Sequence, residues 1–439
     1  MREEAYAQVS TAAGVPSSVD IRKRQMAVGI GNFMEWFDFA IYGYFVAIIG
    51  SQFFPSGNPT AETLAALAVF AVGFLARPLG ALILGPIGDR AGRKVVLVIT
   101  VLGMGVTTAL IGLTPSYAVI GVAAPIIIVI LRWLQGMMVG GEWSTAATYL
   151  GESAPPKKRG LHTSLVTATA GAAFLVGTLL ATLLNAVLSQ DQLAAWGRRI
   201  PFVFSLIMAV VAVYIRQKLE DTPVFDELAK RRDENEVEKV PGKVKAKAFV
   251  LTLAFSALFG VSLYYFITYA NNHLSGVVGM SRFDALLASG IALVVYVAAN
   301  PVLGSLSDRI GRRPVTLASA AGLTILGFPI FLGMNTGSFA VVLGSLIVLG
   351  LLVAASAVMN VVLLVEVFPA SIRSTGSALG YNVALALLAG PGPLIAAALI
   401  AATGNPTSPA IYLVGVSLAA LVVLWVMLPE TKSTDISRG

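Results

Sequence analysis

The chain has 439 residues, of which 56% are hydrophobic and 12% are charged, and its formal net charge is +7 at pH 7. A soluble domain has about 25% charged residues, so this chain has too few polar side chains to cover a water-soluble globule and is predicted to be an integral membrane protein. It contains no cysteine and only two histidines, His162 and His273, which argues against disulfides, a thiolate nucleophile and a bound metal.

Twelve apolar stretches, most of them near the ~20 residues that a bilayer requires, follow one another along the chain. The first is longer than a signal-peptide core and lacks a clear small-residue cleavage site, so we predict that it is retained. We predict a membrane span at each stretch: residues 26–50, 62–87, 95–113, 118–150, 160–188, 200–215, 248–272, 283–307, 314–333, 338–367, 374–402 and 409–428.

The basic residues indicate the orientation of these spans. Of the 30 Lys and Arg, Arg77 and Arg132 fall inside spans, Arg198, Arg199 and Arg282 fall on the far side, and the other 25 lie on the side of the N-terminus. The positive-inside rule places that side, with both termini, in the cytoplasm. The net charge then reflects topology and contact with anionic lipids, and nucleic acid is not expected as a partner.

Two sequence motifs occur twice. "GPIGDRAGRK" (85–94) returns as "GSLSDRIGRR" (304–313), and "ESAPPKKRG" (152–160) returns as "EVFPASIRS" (366–374) with Glu, Pro and Arg each displaced by 214 residues. Parallel repeats of this kind are a transporter architecture. We predict a cytoplasmic tail (1–25), a six-helix bundle (26–216), a cytoplasmic loop (217–247), a second six-helix bundle (248–428) and a second tail (429–439).

These motifs resemble the major facilitator superfamily. More narrowly, the chain resembles its metabolite:proton symporter family, which includes permeases for 2-oxoglutarate, citrate and shikimate and an osmoregulatory proline/betaine carrier. The narrower match is carried by "GNFMEWFDF" (31–39), "ARPLGALILGPIGDRAGRK" (76–94), "RWLQGMMVGGEW" (132–143), "YLGESAPPKKRG" (149–160), "RRIPF" (198–202), "EVFPASIRSTGSALGYN" (366–382) and "PET" (429–431).

The resemblance implies an all-α fold of twelve transmembrane helices in two halves, transport by alternating access, a proton as coupling ion, no cofactor and no enzyme activity. The duplicated loops are then expected to gate the cavity through ion pairs; their alternative role is only to keep the loops cytoplasmic. The gating candidates are Asp89, Arg90, Arg93, Asp308, Arg309, Arg312, Glu152, Arg159, Glu366 and Arg373.

Four of the charged residues inside predicted spans are the most informative: Glu35, Asp38, Arg77 and Arg132. Each would cost about 2.5–3.5 kcal/mol if unpaired near the bilayer centre, so we expect them to face a central cavity and to compensate one another. A static salt bridge is the alternative. We assign proton coupling to Asp38 and Glu35, and substrate binding to Arg132 and Arg77.

Aromatic and amide residues in the spans are candidates for the cavity lining, although Tyr at a helix end is also typical of the membrane interface. Both histidines are expected at the surface. We place Tyr42, Tyr265, Tyr269, Asn360, Tyr381 and Asn382 in the binding site, and keep Tyr44, Tyr264, Asn271 and Asn300 as further candidates.

We therefore predict a proton-coupled symporter of a prokaryotic plasma or inner membrane that imports a small polar metabolite and acts as a monomer. A di- or tricarboxylate, or a related organic acid, is favoured because Arg77 and Arg132 supply positive charge. The alternative is a zwitterionic osmolyte such as betaine or proline, against which the short C-terminal tail counts. A non-transporting membrane receptor is a further alternative. A membrane enzyme is not expected, because the sequence shows no nucleophile–base pair.

Overall fold

The computed structural model describes residues 18–91, 93–217, 240–369, 372–434 and 436. These residues form helices joined by short connections, and no strand occurs among them. The first six principal helices are α1 (Ser18–Tyr44, continued by Val46–Phe53), α2 (Pro59–Leu75, continued by Arg77–Ala91), α3 (Arg93–Leu113), α4 (Ala123–Val139, continued by Glu142–Ser153), α5 (Arg159–Val187) and α6 (Leu193–Gly197, continued by Arg199–Arg216).

The remaining helices follow after residue 240. They are α7 (Gly242–Tyr264, continued by Tyr265–Tyr269 and Ala270–Gly276), α8 (Arg282–Ile310), α9 (Arg312–Met334), α10 (Phe339–Glu366), α11 (Arg373–Ala384, continued by Leu385–Ala389 and Gly392–Thr403) and α12 (Pro409–Met427). Short helical turns occur in the connections at Tyr117–Ile120, Pro156–Lys158 and Gln190–Gln192.

Most of these helices are long and apolar enough to cross a membrane. Ten, α2 and α4 to α12, pass that test singly; the two parts of α1, bent by 63°, pass it together, and α3 contributes a shorter apolar helix, Val98–Leu113. The described helices thus occupy all twelve predicted stretches. A count of twelve spans and the cytoplasmic position of the termini stay predictions.

The outer surface of the bundle is apolar. Side chains such as Val187, Ile325 and Val426 are at least 70% exposed, whereas charged residues such as Arg77 and Glu35 are fully buried. A large apolar outer surface around a polar interior is what a lipid-embedded bundle requires.

Glycines allow α2 and α4 to pack with their backbones in contact. An ideal Cβ on Gly136 would lie 1.9 Å from the carbonyl oxygen of Gly73, and one on Gly80 would lie 1.9 Å from that of Met137. No larger residue fits at these positions, so close packing depends on them. The approach brings Arg77 of α2 and Arg132 of α4 close to one ring, Phe39 of α1, at 4.7 and 5.5 Å from its centre.

Helices before residue 217 pack extensively on helices after residue 240. The longest of these contacts runs along α5 and α8, and the second part of α4 packs on α10 and α11. An ideal Cβ on Gly160 would lie 2.6 Å from the carbonyl oxygen of Gly304, so α5 and α8 also touch through their backbones. The residues that these two sets of helices bring together form the candidate site.

Candidate functional site

The first component of the site is a buried ion pair between α1 and α2. A guanidinium nitrogen of Arg77 lies 3.9 Å from a carboxylate oxygen of Glu35, and both side chains are fully buried. Within the described residues, the three side-chain nitrogens of Arg77 have no hydrogen-bond acceptor. The guanidinium instead lies 4.7 Å from the ring centre of Phe39 and 4.4 Å from that of Phe74. A buried guanidinium without acceptors is unusual and calls for a ligand or a water molecule.

Arg132 of α4 is the second buried guanidinium. It lies 3.8 Å from the ring centre of Tyr42 and 5.1 Å from that of Phe70, contacts that stabilise a cation. Its Nη1 donates a short hydrogen bond to Oε1 of Gln135, one helical turn further along α4. Its Nε and Nη2 have no acceptor within the described residues.

Asp38 lies about one helical turn along α1 from Glu35, and its bonding partners come from α3 and α6. Its Oδ2 accepts a hydrogen bond of 2.7 Å from the hydroxyl of Thr108, and its Oδ1 accepts a short one from Ser205. Gln135 donates to the same Thr108 hydroxyl at 2.6 Å. Asp38 therefore reaches Arg132 through Thr108 and Gln135 rather than by a direct ion pair, so only Glu35 and Arg77 pair as the sequence leads us to expect.

Aromatic rings from five helices surround the Glu35–Arg77 pair. Trp36 of α1 meets Trp143 of α4 edge to face at 5.1 Å, and Tyr264 of α7 lies 5.0 Å from Phe74. Trp143 is stacked on Tyr381 of α11 at 5.9 Å. The hydroxyls of Tyr264 and Tyr381 are buried without a partner among the described residues. We call this group the central cluster: Glu35, Trp36, Phe39, Phe74, Arg77, Trp143, Tyr264 and Tyr381.

Three further binding candidates lie close to this cluster. Asn360 accepts a hydrogen bond of 3.0 Å from the indole of Trp143 and donates one to Ser256. Asn382 donates a short bond to the carbonyl oxygen of Gly140, and Tyr42 donates to that of Ala66 at 3.1 Å beneath Arg132. These bonds hold α1, α4, α10 and α11 around the centre.

Tyr265 and Tyr269, in contrast, lie apart from the central cluster. The hydroxyl of Tyr265 donates to the carbonyl oxygen of Pro409 at 3.2 Å, and that of Tyr269 lies 3.2 Å from Nδ1 of His273. The expectation of a surface histidine is wrong for His273, which is 1% exposed and bonded to Asn335 at 2.7 Å. A π-helical segment at Tyr265–Tyr269 shifts the side-chain directions, and neighbouring Tyr264 faces the cluster instead.

A network of buried ion pairs lies at the end of the bundle where α5 begins and α10 ends. Arg159 pairs with Glu366 at 2.9 Å, and Arg373 pairs with Glu152 at 3.1 Å. These are the Glu and Arg positions of the duplicated motif, so each copy of the motif supplies the partner of the other. The two copies of the motif, which are 214 residues apart in the sequence, are thus joined in the structure by two reciprocal ion pairs.

The second duplicated loop completes this network. Arg312 donates twice to Glu366, at 3.2 Å each, and once to Asp308 at 2.8 Å. Asp308 also accepts from the backbone N–H groups of Gly160 and Leu161 at 2.9 Å, and so caps the first turn of α5 from α8. Arg309 is exposed. We call Glu152, Arg159, Asp308, Arg312, Glu366 and Arg373 the basic-side network.

The chain after α12 also contacts this network. The hydroxyl of Thr431 donates to Glu366 at 2.6 Å, and Glu430 accepts from the backbone N–H groups of Arg312 and Arg313 at 2.8 and 3.2 Å. Partial burial acts to raise the pKa of Glu430, but these backbone donors outweigh it and lower the pKa below its usual value. The side chains of the candidates Asp89, Arg90 and Arg93 lie outside the described residues.

Comparison with known proteins shows the family to which the chain belongs. Residues 25–248 match the family model of sugar (and other) transporters, and residues 250–438 match that of the major facilitator superfamily. The proline/betaine transporter of Escherichia coli (strain K12) is 33% identical over 412 residues, which cover 92% of this chain and 82% of that protein. The chain belongs to the major facilitator superfamily. The family resemblance in the sequence is thereby confirmed, and the protein is a multi-pass membrane transporter.

Another relative within the superfamily is the glycine betaine/proline/ectoine/pipecolic acid transporter of Dickeya dadantii (strain 3937), 32% identical over 412 residues, with the same coverage of 92% and 82%. Among solved structures, the proton:xylose symporter XylE bound to 6-bromo-6-deoxy-D-glucose has a TM-score of 0.78 at 19% identity and covers 96% of this chain and 99% of its own. The inward-open form of XylE from E. coli has a TM-score of 0.71 at 18% identity, covering 95% and 98%. These structures share the major facilitator fold.

Some residues of the site are not marked by any of the sequence patterns that led to the predicted site residues. Thr108, Gln135 and Ser205 are uncharged and lie in apolar helices, but they make all the hydrogen bonds of Asp38 and Arg132 described above. Trp36 and Trp143 sit inside the motifs "EWFDF" and "GGEW". Attention to indole rings beside intramembrane carboxylates would have found them.

Proposed function

We propose that this major facilitator protein is a proton-coupled symporter that takes up a small zwitterionic osmolyte of the proline or betaine type. The observation that carries the proposal is the buried guanidinium of Arg77, which has no hydrogen-bond acceptor among the described residues and lies amid aromatic rings beside Glu35. Such a site offers an anion-binding group, a carboxylate and ring faces within one cluster.

Each end of a zwitterion has a counterpart in the central cluster. The substrate carboxylate would accept hydrogen bonds from Arg77 and from the unpartnered hydroxyls of Tyr264 and Tyr381. The ammonium end would lie on the aromatic faces, with Glu35 as the nearby negative charge. A quaternary ammonium has no N–H donor, so ring faces suit betaine better than a hydrogen-bonding pocket would.

The charge balance favours a zwitterion over the organic acid that the sequence alone suggested. The argument for an acid requires excess positive charge, but Arg77 lies beside Glu35, and Arg132 is joined through Gln135 and Thr108 to Asp38. Two arginines and two carboxylates balance when all are ionised. A net-neutral substrate preserves that balance, whereas a dicarboxylate would add two buried negative charges at considerable cost. The names of the relatives point the same way.

In this proposal Asp38 carries the coupled proton, and the helices before and after the loop 217–247 move against each other around the central cluster. The basic-side network holds one entrance closed in the present conformation and must separate to release substrate. No cofactor is needed besides the coupling proton. The partners are the substrate, the proton and anionic lipids, and a single chain contains the complete binding site, so the protein acts as a monomer.

The test uses purified protein in proteoliposomes with an imposed pH gradient, acidic outside. Radiolabelled betaine and proline should accumulate, and dissipation of the gradient with a protonophore should abolish accumulation but preserve counterflow. Arg77→Gln should lose uptake, while Lys245→Gln, at an exposed basic residue near the start of α7, serves as the control. Accumulation of citrate or 2-oxoglutarate without betaine or proline would refute the proposal, and binding without any flux would indicate a receptor.

A further inference from the structure

A continuous chain of side-chain hydrogen bonds joins Asp38, which carries the coupled proton in the proposed function, to Arg132, whose guanidinium lies with that of Arg77 near the ring of Phe39. Nη1 of Arg132 donates to Oε1 of Gln135, Nε2 of Gln135 donates to Thr108 at 2.6 Å, and Thr108 donates to Oδ2 of Asp38 at 2.7 Å. All four side chains are buried, with at most 1% exposure. This series of hydrogen bonds connects α4, α3 and α1.

We infer that Thr108 and Gln135 couple the protonation of Asp38 to the availability of Arg132 as a second donor, beside Arg77, for the carboxylate of the substrate. The inference rests on the proposed function and names the residues by which its two binding events depend on each other. Neither side chain is charged, and both act by positioning a neighbour.

The hydrogen atoms in this chain all point one way. Arginine has only donors, so the amide oxygen of Gln135 must face Arg132, and its Nε2 must face Thr108. The Thr108 hydroxyl has one hydrogen; because it accepts from Gln135, it gives that hydrogen to Asp38. The arrangement therefore fits a carboxylate that accepts, namely ionised Asp38.

A proton taken from solution onto Oδ2 of Asp38 reverses this order. Oδ2 then carries an O–H that donates to Thr108, so Thr108 turns its own hydrogen away from Asp38 and, in the inferred state, towards Gln135. Gln135 can accept only by rotating its amide through half a turn, which points its NH₂ at Arg132, donor against donor. Arg132 loses its acceptor, and a buried donor left unsatisfied costs about 1–3 kcal/mol or more. A substrate carboxylate restores the lost bond.

Other groups around Asp38 do not provide this link. Ser205 of α6 donates to Oδ1 but can turn only to the carbonyl oxygen of Pro201, 3.5 Å away on its own helix. The charged group that acts on Asp38 from the helices packed around it is Arg132, since Glu35, on α1 itself, lies beside Arg77. By reciprocity, proton and substrate then tighten each other's binding by the same factor, as symport requires.

The experiment measures binding of radiolabelled betaine and proline to the full-length purified protein between pH 5.5 and 8.5, together with counterflow and gradient-driven uptake in proteoliposomes. In the unchanged protein, affinity should rise on acidification by roughly five- to 150-fold, the usual range of coupling between two sites. Thr108→Val should reduce this pH dependence to less than about twofold and abolish accumulation, with counterflow retained. Gln135→Met should do the same and is the second variant if one fails to fold.

Two variants serve as matched controls. Thr108→Ser keeps the hydroxyl and should restore the pH dependence. Thr107→Val removes the neighbouring hydroxyl, which bonds only to the backbone of Gly103 and Met104 among the described residues, and should leave the pH dependence intact. If Thr108→Val keeps the pH dependence, or if Ser205→Ala alone abolishes it, the inference is overturned. If neither probe binds the unchanged protein at any pH, the proposed function fails, and this inference fails with it.

Discussion

The basic-side network and the central cluster are both buried and charged, but they differ in how completely their polar atoms are bonded. In the network, Glu366 accepts from Arg159, Arg312 and Thr431, and Asp308 accepts from two backbone N–H groups and Arg312. In the cluster, Arg77 is ion-paired with Glu35, but its side-chain nitrogens and the hydroxyls of Tyr264 and Tyr381 make no hydrogen bond among the described residues.

This difference indicates two kinds of task. A network in which every carboxylate accepts hydrogen bonds, and Nε of Arg159 alone lacks an acceptor among the described residues, is stable without a ligand. Loss of one partner then leaves an uncompensated buried charge. An incompletely bonded cluster gains most from a ligand that supplies the missing acceptors. We therefore interpret the network as a closed gate and the cluster as a binding site, and the predictions below test that distinction.

The largest effect is expected at Arg77. Arg77→Gln should reduce betaine affinity on the order of a hundredfold, because a lost buried charged contact costs about 2–5 kcal/mol and each 1.4 kcal/mol is tenfold. Isothermal titration of the purified protein measures the loss. Adding Glu35→Gln should recover thermal stability without recovering affinity; recovery of both would show that the pair is only structural.

A change in the network should affect turnover rather than affinity. Glu152→Gln removes the partner of Arg373 and should slow uptake by about tenfold or more, since it destabilises the closed gate by more than 1.4 kcal/mol. Betaine affinity should stay within about twofold. Exchanging the charges, with Glu152→Arg and Arg373→Glu together, should restore part of the rate. A large fall in affinity for Glu152→Gln would remove the distinction between the two regions.

A smaller effect separates two adjacent tyrosines. Tyr264→Phe should weaken betaine binding about three- to tenfold, because one hydrogen bond contributes about 0.5–1.5 kcal/mol. Tyr265→Phe, whose hydroxyl bonds to Pro409 instead, is the matched control and should leave affinity within about twofold. Equal effects at both positions would contradict the assignment of Tyr264 to the central cluster.

The smallest effect is expected at Glu430, at the edge of the network. Its pKa is lowered in the folded protein, so it contributes stability that is present above its unfolded pKa and is lost as the pH falls through the folded value. Glu430→Gln should lower Tm by less than about 2 °C at pH 7, and the difference from the unchanged protein should vanish in acid. A difference that grows on acidification would contradict this sign.

The sequence predicts much of the basic-side network but less of the contacts around the central cluster, for physical reasons. The duplicated motif already identified Glu152, Arg159, Glu366 and Arg373 as a related set, and the structure brings them together as reciprocal pairs. The position of Asp38 inside a predicted span marks it as an intramembrane carboxylate, but its partners Thr108 and Ser205 come from other helices and have no charge or periodicity to mark them.

The directions of the side chains are the second feature that the sequence does not predict. A regular helix through residues 264–269 gives no reason to prefer one tyrosine, and a π-helical segment changes which of them faces the centre. The organic-acid expectation was weakened in the same way. It counted Arg77 and Arg132 as available charge, which depends on contacts with Glu35 and Gln135 that the sequence does not specify.

The most direct test of the account is the current that substrate addition evokes in proteoliposomes on a solid-supported membrane, at equal pH on both sides. Betaine and proline are net neutral, so their cotransport with a proton should move positive charge into the vesicles, and Arg77→Gln should abolish the signal. No current with betaine or proline, together with a current on addition of 2-oxoglutarate or citrate, would contradict the central claim that this cluster transports a zwitterion with a proton.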